Sequence, residues 1–204
     1  MTSFFAFVLA ASLLAITPGL DTAMVLRTST LEGPRRAVSA MVGIVAGCLV
    51  WGGAVALGLG ALLAASEAAY TALRWAGAAY LIWLGIGLIR NPRQALDTGE
   101  PAAEPRRQNW FARGLLTNLL NPKIGIFYVS FLPQFVPEGA PVAGAIFLLA
   151  VIHAGLTGIW FGCLIVASTP LRRVLARPTA VRTLDRLTGG VFIAAGAKLA
   201  LSRV

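Results

Sequence analysis

Six apolar stretches, at 4–26, 38–65, 70–89, 114–136, 142–167 and 187–202, decide what this 204-residue chain can fold into. Each approaches or exceeds the ~20 residues that a helix needs to cross the hydrocarbon of a bilayer. A lone spanning strand would leave backbone groups unpaired in lipid, so helices are the expected form. Charged residues make up only 12% of the chain and hydrophobic ones 57%, whereas a soluble domain is about a quarter charged. The sequence therefore predicts an all-α integral membrane protein, a single domain over 1–204 with six transmembrane helices and the lipid bilayer as its solvent.

The net charge of +9 would suggest nucleic acid in a soluble protein. Here the basic residues sit in short clusters between apolar runs, and no nucleic-acid motif accompanies them. They read as a topology signal. Arg27, Arg35 and Arg36 follow the first run. Arg90, Arg93, Arg106, Arg107 and Arg113 follow the third, and Arg172, Arg173, Arg177, Arg182 and Arg186 follow the fifth. Of the other two connections, only one has a basic residue near it, Arg74. Positive loops stay in the cytoplasm, which places both termini outside, with Arg203 a mild exception. A rival topology makes the first run a re-entrant hairpin with the N-terminus inside.

The polar stretch 91–109 contains Pro92, Pro101 and Pro105 and reads as a mobile cytoplasmic linker. It separates a three-helix half at 1–90 from another at 110–204. Halves with an odd number of spans, if related, lie inverted in the membrane, a 3+3 inverted repeat. The loop Ser168–Arg186 is either a plain basic connection or a short interfacial helix broken near Pro178.

Two runs carry residues that apolar spans normally exclude. The first reads Ile16-Thr-Pro-Gly-Leu-Asp21, and the fourth contains Thr117-Asn-Leu-Leu-Asn-Pro-Lys123. Pro18 lies nine residues before Arg27 and Pro122 nine after Arg113, so both sit roughly 13 Å from the cytoplasmic end. Proline removes a donor and frees a carbonyl one turn back. Paired interruptions at corresponding positions of two halves point to a transporter site, where half-helix ends meet ions and substrates. The candidate substrate-binding residues are Thr17, Pro18, Gly19, Asp21, Asn118, Asn121, Pro122 and Lys123. Asp21 is expected to bind an amino group or to carry a coupling proton, since a carboxyl group shielded from water is suited to that exchange. Lys123 is expected to pair with Asp21 or hold a substrate carboxylate. The competing readings are that Asp21 caps the half-helix after Pro18, that Lys123 snorkels to the interface, and that Asn118 and Asn121, three apart on one helix face, glue helices together. If the site view holds, both breaks face one cavity.

The remaining chemistry is sparse. Cys48 and Cys163 read as small packing residues, with no metal cluster and no disulfide framework. His153, the one histidine, reads as a hydrogen-bonded packing residue with a proton relay as the alternative, and Lys198 as a snorkelling residue. Gly43-x3-Gly47 and Gly158-x3-Gly162 allow close helix approach and leave a homo-oligomer open. No nucleotide-binding loop is present, so no cofactor is expected and the energy source is an ion gradient. A non-transport membrane protein, either an intramembrane enzyme or a structural or channel-like one, is the alternative class. An enzyme would need clustered catalytic groups, and the chain offers one acid well inside a span.

At these residues the sequence resembles the LysE/RhtB family of bacterial amino-acid exporters. ITPGLDTAMVL resembles the family's N-terminal Pro-Gly-Pro-Asn/Asp segment, with Leu20 where the family often has a second proline. GLLTNLLNPKIGIFYVSFLPQFV resembles its Asn-Pro-Lys segment, AGAAYLIWLGIGLIR its third span and LTGGVFIAAGAKLAL its last. The resemblance implies a multi-pass protein of the bacterial inner membrane. It implies export of amino acids or related small zwitterions by proton-coupled antiport, with Pro18, Gly19, Asp21, Asn121, Pro122 and Lys123 on motif positions.

Overall fold

A computed structural model describes residues 2–65, 67–92, 109–137, 139–167 and 177–201. The predicted linker therefore lies almost wholly outside the described residues, as do the first half of the Ser168–Arg186 loop and the side chain of Lys198. The described residues are helical, with no strand among them. In chain order the helices are α1 (Thr2–Ile16), α2 (Leu20–Leu31), α3 (Pro34–Ala65), α4 (Glu67–Arg90), α5 (Trp110–Leu119), α6 (Pro122–Ile126), α7 (Val142–Val166) and α8 (Pro178–Leu201). A wide π turn, Phe127–Phe131, and a 3-10 turn, Leu132–Phe135, continue α6.

Two helices have the length and unbroken apolarity of a membrane span, over Pro34–Gly58 and Val142–Val166. Two more qualify as bent pairs. The α1–α2 pair turns by 50° across its break, and α5 turns by 53° against Pro122–Phe135. The helices α4 and α8 are each 24 residues, about 36 Å at 1.5 Å per residue. The apolar part of α8 is shorter, because its first turns hold Arg182, Asp185 and Arg186. Large apolar side chains face outward along these helices, among them Phe5 at 70% exposure, Leu57 at 74% and Ile159 at 68%. A surface this apolar is stable against lipid tails and not against water.

Local chemistry sets most boundaries. The α2–α3 corner reads Leu31-Glu-Gly-Pro34: Gly33 takes φ +91°, a left-handed position suited to glycine, and Pro34 opens α3, where its missing N–H costs nothing. Glu32 pairs with Arg36 across this corner. Asn109 caps α5 through a bond from Ala112 N to its Oδ1 at 3.1 Å. Pro178 starts α8. The final helix thus begins nine residues before the last apolar run, and Val181 and Asp185 are fully buried in its first turns. The fourth run departs from regular α geometry a second time, after Ile126. There Pro133 cannot donate one turn back, and Gln134 Nε2 donates to Ser130 O at 2.9 Å.

Glycine decides which helices touch. The α3–α5 contact brings Gly43 and Gly47 of α3 against α5, and Gly114 of α5 against α3. A Cβ on Gly43 would lie 2.1 Å from Phe111 O, and one on Gly114 2.0 Å from Ala40 O. The α4–α8 contact uses Gly85 and Gly189 in the same way. The helices α3 and α7 meet where Gly52 faces Ala150. The second sequence pair behaves otherwise: a Cβ on Gly158 would make an ordinary 3.5 Å contact with Val45, and Gly162 faces open space. The larger core gathers Phe7, Leu14, Phe127, Tyr128, Phe131 and Phe192. A smaller one joins α2, α3 and α7 through Val25, Ile44, Phe161 and Leu164.

Candidate functional site

The two bent units lie side by side and run antiparallel. Near one end the Phe7 ring of α1 meets Phe135, with centroids 5.5 Å apart. Near the other, Thr117 Oγ1 of α5 donates to Met24 Sδ of α2 at 3.1 Å. Between these contacts the breaks at Pro18 and Pro122 meet, and their polar residues bond across the gap.

Lys123 comes from the second break and reaches the first. Its Nζ donates to Thr17 O at 3.0 Å and to Leu14 O at 3.4 Å. Leu14 O is the carbonyl that residue 18 would satisfy in an unbroken helix, and Pro18 has no N–H to give. The ammonium thus sits on the carbonyl-rich end of α1, where the helix dipole favours a cation. Lys123 is half-buried, with bonds that tie it to the first break. It lies within Coulombic reach of Asp21 and His153.

Asp21 lies in the first turn of α2, the end whose free N–H groups favour an anion. It does not cap the helix. Gly19 holds that position, in an extended conformation (φ −159°, ψ −167°) with no side-chain cap bond. The Asp21 carboxylate is 6% exposed and accepts from Asn118 Nδ2 at 2.8 Å through Oδ2. Its Oδ1 is buried without a hydrogen-bond partner. Asn118 and Asn121 do not share a helix face as expected. Asn118 ends α5, and Asn121 caps α6 by accepting from Lys123 N at 3.1 Å. The break folds both amides onto Asp21, and Asn121 Nδ2 is also buried and unpartnered. Both amide orientations follow from these bonds, since a carboxylate needs a donor from Asn118 and the Lys123 N–H needs an acceptor from Asn121.

Thr17 ties the first break to α8: its hydroxyl bonds Leu13 O at 2.6 Å and the hydroxyl of Thr188. Thr17, Asp21, Asn118, Asn121 and Lys123 therefore converge, with Pro18, Gly19 and Pro122 shaping the backbone around them. An apolar cavity of about 260 Å³ opens one turn beyond Thr17 and Thr188, between α1, α8 and the 3-10 turn, lined by Leu13, Phe131, Gln134, Val191 and Ala195 among others. Asp21 and Lys123 do not line this cavity.

Several residues outside the predicted substrate site also gather here. Asn118 Nδ2 also approaches Cys48 Sγ at 3.5 Å, and Cys48 neighbours the Tyr128 hydroxyl. Tyr128 Oη bonds His153 Nδ1 at 3.0 Å, and His153 Nε2 meets Thr157 Oγ1 at 3.5 Å. His153 is fully buried with its ring 4.9 Å from that of Phe127. Asp185 is a second buried carboxylate, hidden from the sequence reading by its place just before the last apolar run. The spacing of buried residues at 181, 185, 188, 192 and 195 is the helical signal that would have found it.

Comparison with known proteins gives a consistent picture. Residues 12–203 match the model of the LysE type translocator family. The chain is 33% identical to a homoserine/homoserine lactone efflux protein of Salmonella typhimurium, over 98% of this chain and 96% of that one. It is 29% identical to the threonine efflux protein of Escherichia coli, over 92% of each. A Bacillus subtilis protein described as a membrane protein is 29% identical over 99% of this chain and its own full length. No solved structure matches.

Proposed function

We infer, from the premise that this chain belongs to the LysE type translocator family, that it is a multi-pass membrane exporter of amino acids or closely related small metabolites. It is a transporter and not an enzyme. The observation that carries the reading is the meeting of two broken helices, with a buried carboxylate and a lysine ammonium each set at the helix end its charge suits. Relatives named for efflux of homoserine, homoserine lactone and threonine supply the substrate class.

The finer reading is a secondary antiporter of the bacterial inner membrane, with six spans in a 3+3 inverted repeat. The antiparallel contact of the two bent units supports it, as does the pairing of α3 with α7 and of α4 with α8, which matches second with fifth span and third with sixth. The position of α1 near Phe135 and of α2 near Thr117 favours a first span that crosses the bilayer over one that returns. Asp21 is assigned the substrate ammonium or the coupling proton. Thr17, Asn118, Asn121 and Lys123 complete the site on the Pro18, Gly19 and Pro122 backbone.

Counterflow of labelled L-homoserine, L-threonine and a wider amino-acid panel into proteoliposomes tests this. Uptake is expected for at least one small polar amino acid, accelerated by an imposed pH gradient. No movement of any panel member, with or without the gradient, would refute export. Asp21→Asn is expected to abolish the response to the gradient, and full retention of that response would remove Asp21 from the proton path.

A further inference from the structure

Lys123 presents the chemical group that the reading above assigns to the substrate. Its side chain ends in a primary ammonium with three N–H donors. That ammonium sits on two backbone carbonyls, Leu14 O and Thr17 O, and within Coulombic reach of Asp21. An amino acid carries the same group on its α-carbon. The one unpartnered acceptor on the Asp21 carboxylate, Oδ1, lies at the same break. Leu14 O, freed by Pro18, and Thr17 O thus give an ammonium two acceptors beside a buried carboxylate. No other basic side chain is recorded at this break among the described residues. An exporter must also return without cargo. During that return the Leu14 and Thr17 carbonyls are buried in a low-dielectric setting, where unsatisfied polar groups are costly.

We propose that Lys123 is a tethered stand-in for the substrate ammonium. It occupies the Leu14 and Thr17 carbonyls in the empty carrier, and the substrate's ammonium displaces it on loading. This rests on the export reading and adds two consequences. The site reads the ammonium end of its cargo, so a primary amine without a carboxylate, such as an amino-acid ester or lactone, is a substrate and an N-acetylated amino acid is not. Lys123 also serves the empty return, so removing it lowers net export far more than exchange, in which cargo fills the site in both directions.

The test uses full-length protein in proteoliposomes at one fixed pH gradient, with labelled L-homoserine as probe. Net efflux into substrate-free buffer is compared with exchange against unlabelled L-homoserine outside. Lys123→Met is expected to lower net efflux at least about tenfold more than it lowers exchange. Lys123→Arg, which keeps a cation, is expected to retain net efflux. In Lys123→Ala, methylammonium added outside is expected to restore net efflux, while acetate does not. A parallel fall of exchange and efflux in Lys123→Met would overturn the proposal and leave the export reading intact, as would unimpaired net efflux. A wild-type measurement decides the case even if the variants do not fold. Outside methylammonium should not accelerate wild-type net efflux, because the return is already served from within, and an acceleration beyond about threefold overturns the proposal. Wild-type protein that moves no amino acid in either assay would overturn both readings.

Discussion

Replacing Gly47 with alanine probes how the fold positions Asp21 without touching either break. Gly47 lies on α3 directly against Asn118. A Cβ there would lie 2.6 Å from Asn118 Oδ1 and 2.9 Å from its Cβ. Asn118 has little room to retreat, since it is fully buried and Gly114 already holds α5 against the Ala40 carbonyl. The amide must therefore rotate, or α3 and α5 must part, and either movement breaks the 2.8 Å bond to Asp21. Overpacking of this kind costs about 1–3 kcal/mol, and a buried polar group that loses its partner costs about 1–3 kcal/mol. Even the low ends together amount to about 2 kcal/mol of stability. If the misplaced carboxylate weakens substrate binding by only 1.4 kcal/mol, half-saturation rises about tenfold. Gly53 is the control: it lies on the same helix, and a Cβ there meets nothing within 4 Å. Thermal unfolding in detergent reads the stability and counterflow reads the transport. Gly47→Ala should be the weaker protein in both, with Gly53→Ala close to wild type. Equal behaviour of the two variants in both assays would refute the claim that glycine at this crossing sets the Asn118–Asp21 geometry.

Leu20→Pro should be tolerated, with unfolding temperature near wild type. Residue 20 opens α2, where the N–H has no helical partner, and the extended Gly19 before it suits a following proline. Gly43→Ala should prevent assembly of a stable protein, since its Cβ would meet the Phe111 carbonyl at 2.1 Å, while Gly162→Ala should leave unfolding unchanged. Size-exclusion profiles and melting curves distinguish the two. Tyr128→Phe removes the hydroxyl bonded to His153 and should cost about 1–3 kcal/mol by thermal unfolding. Its exchange half-saturation should stay within about threefold of wild type, because the hydroxyl's bond is to His153 and the Asp21 bond comes from Asn118.

The breaks at Pro18 and Pro122 were legible because proline acts on its own backbone: the missing N–H disrupts the helix whatever surrounds it. The apolar runs were legible for a similar reason, since each must satisfy its own backbone in lipid. The start of the last helix was not legible, because it extends beyond the apolar run into a stretch that read as either a plain loop or a short interfacial helix, and there Asp185 and Val181 are buried. The second irregularity after Ile126 was also missed, although Pro133 was its marker.

What the sequence by itself determined is the membrane class, the paired helix breaks and the presence of one acid and one lysine beside them. Those properties belong to single segments. Only the tertiary structure decided what each group bonds. Lys123 meets carbonyls 106 and 109 residues away, and Asn118 meets a carboxylate 97 residues away. Two identical Gly-x3-Gly patterns also came out differently, one pressed against a backbone and one facing side chain or open space. A glycine or an ammonium carries no record of its partner. That partner is set by which surfaces the antiparallel docking of the two broken units brings together.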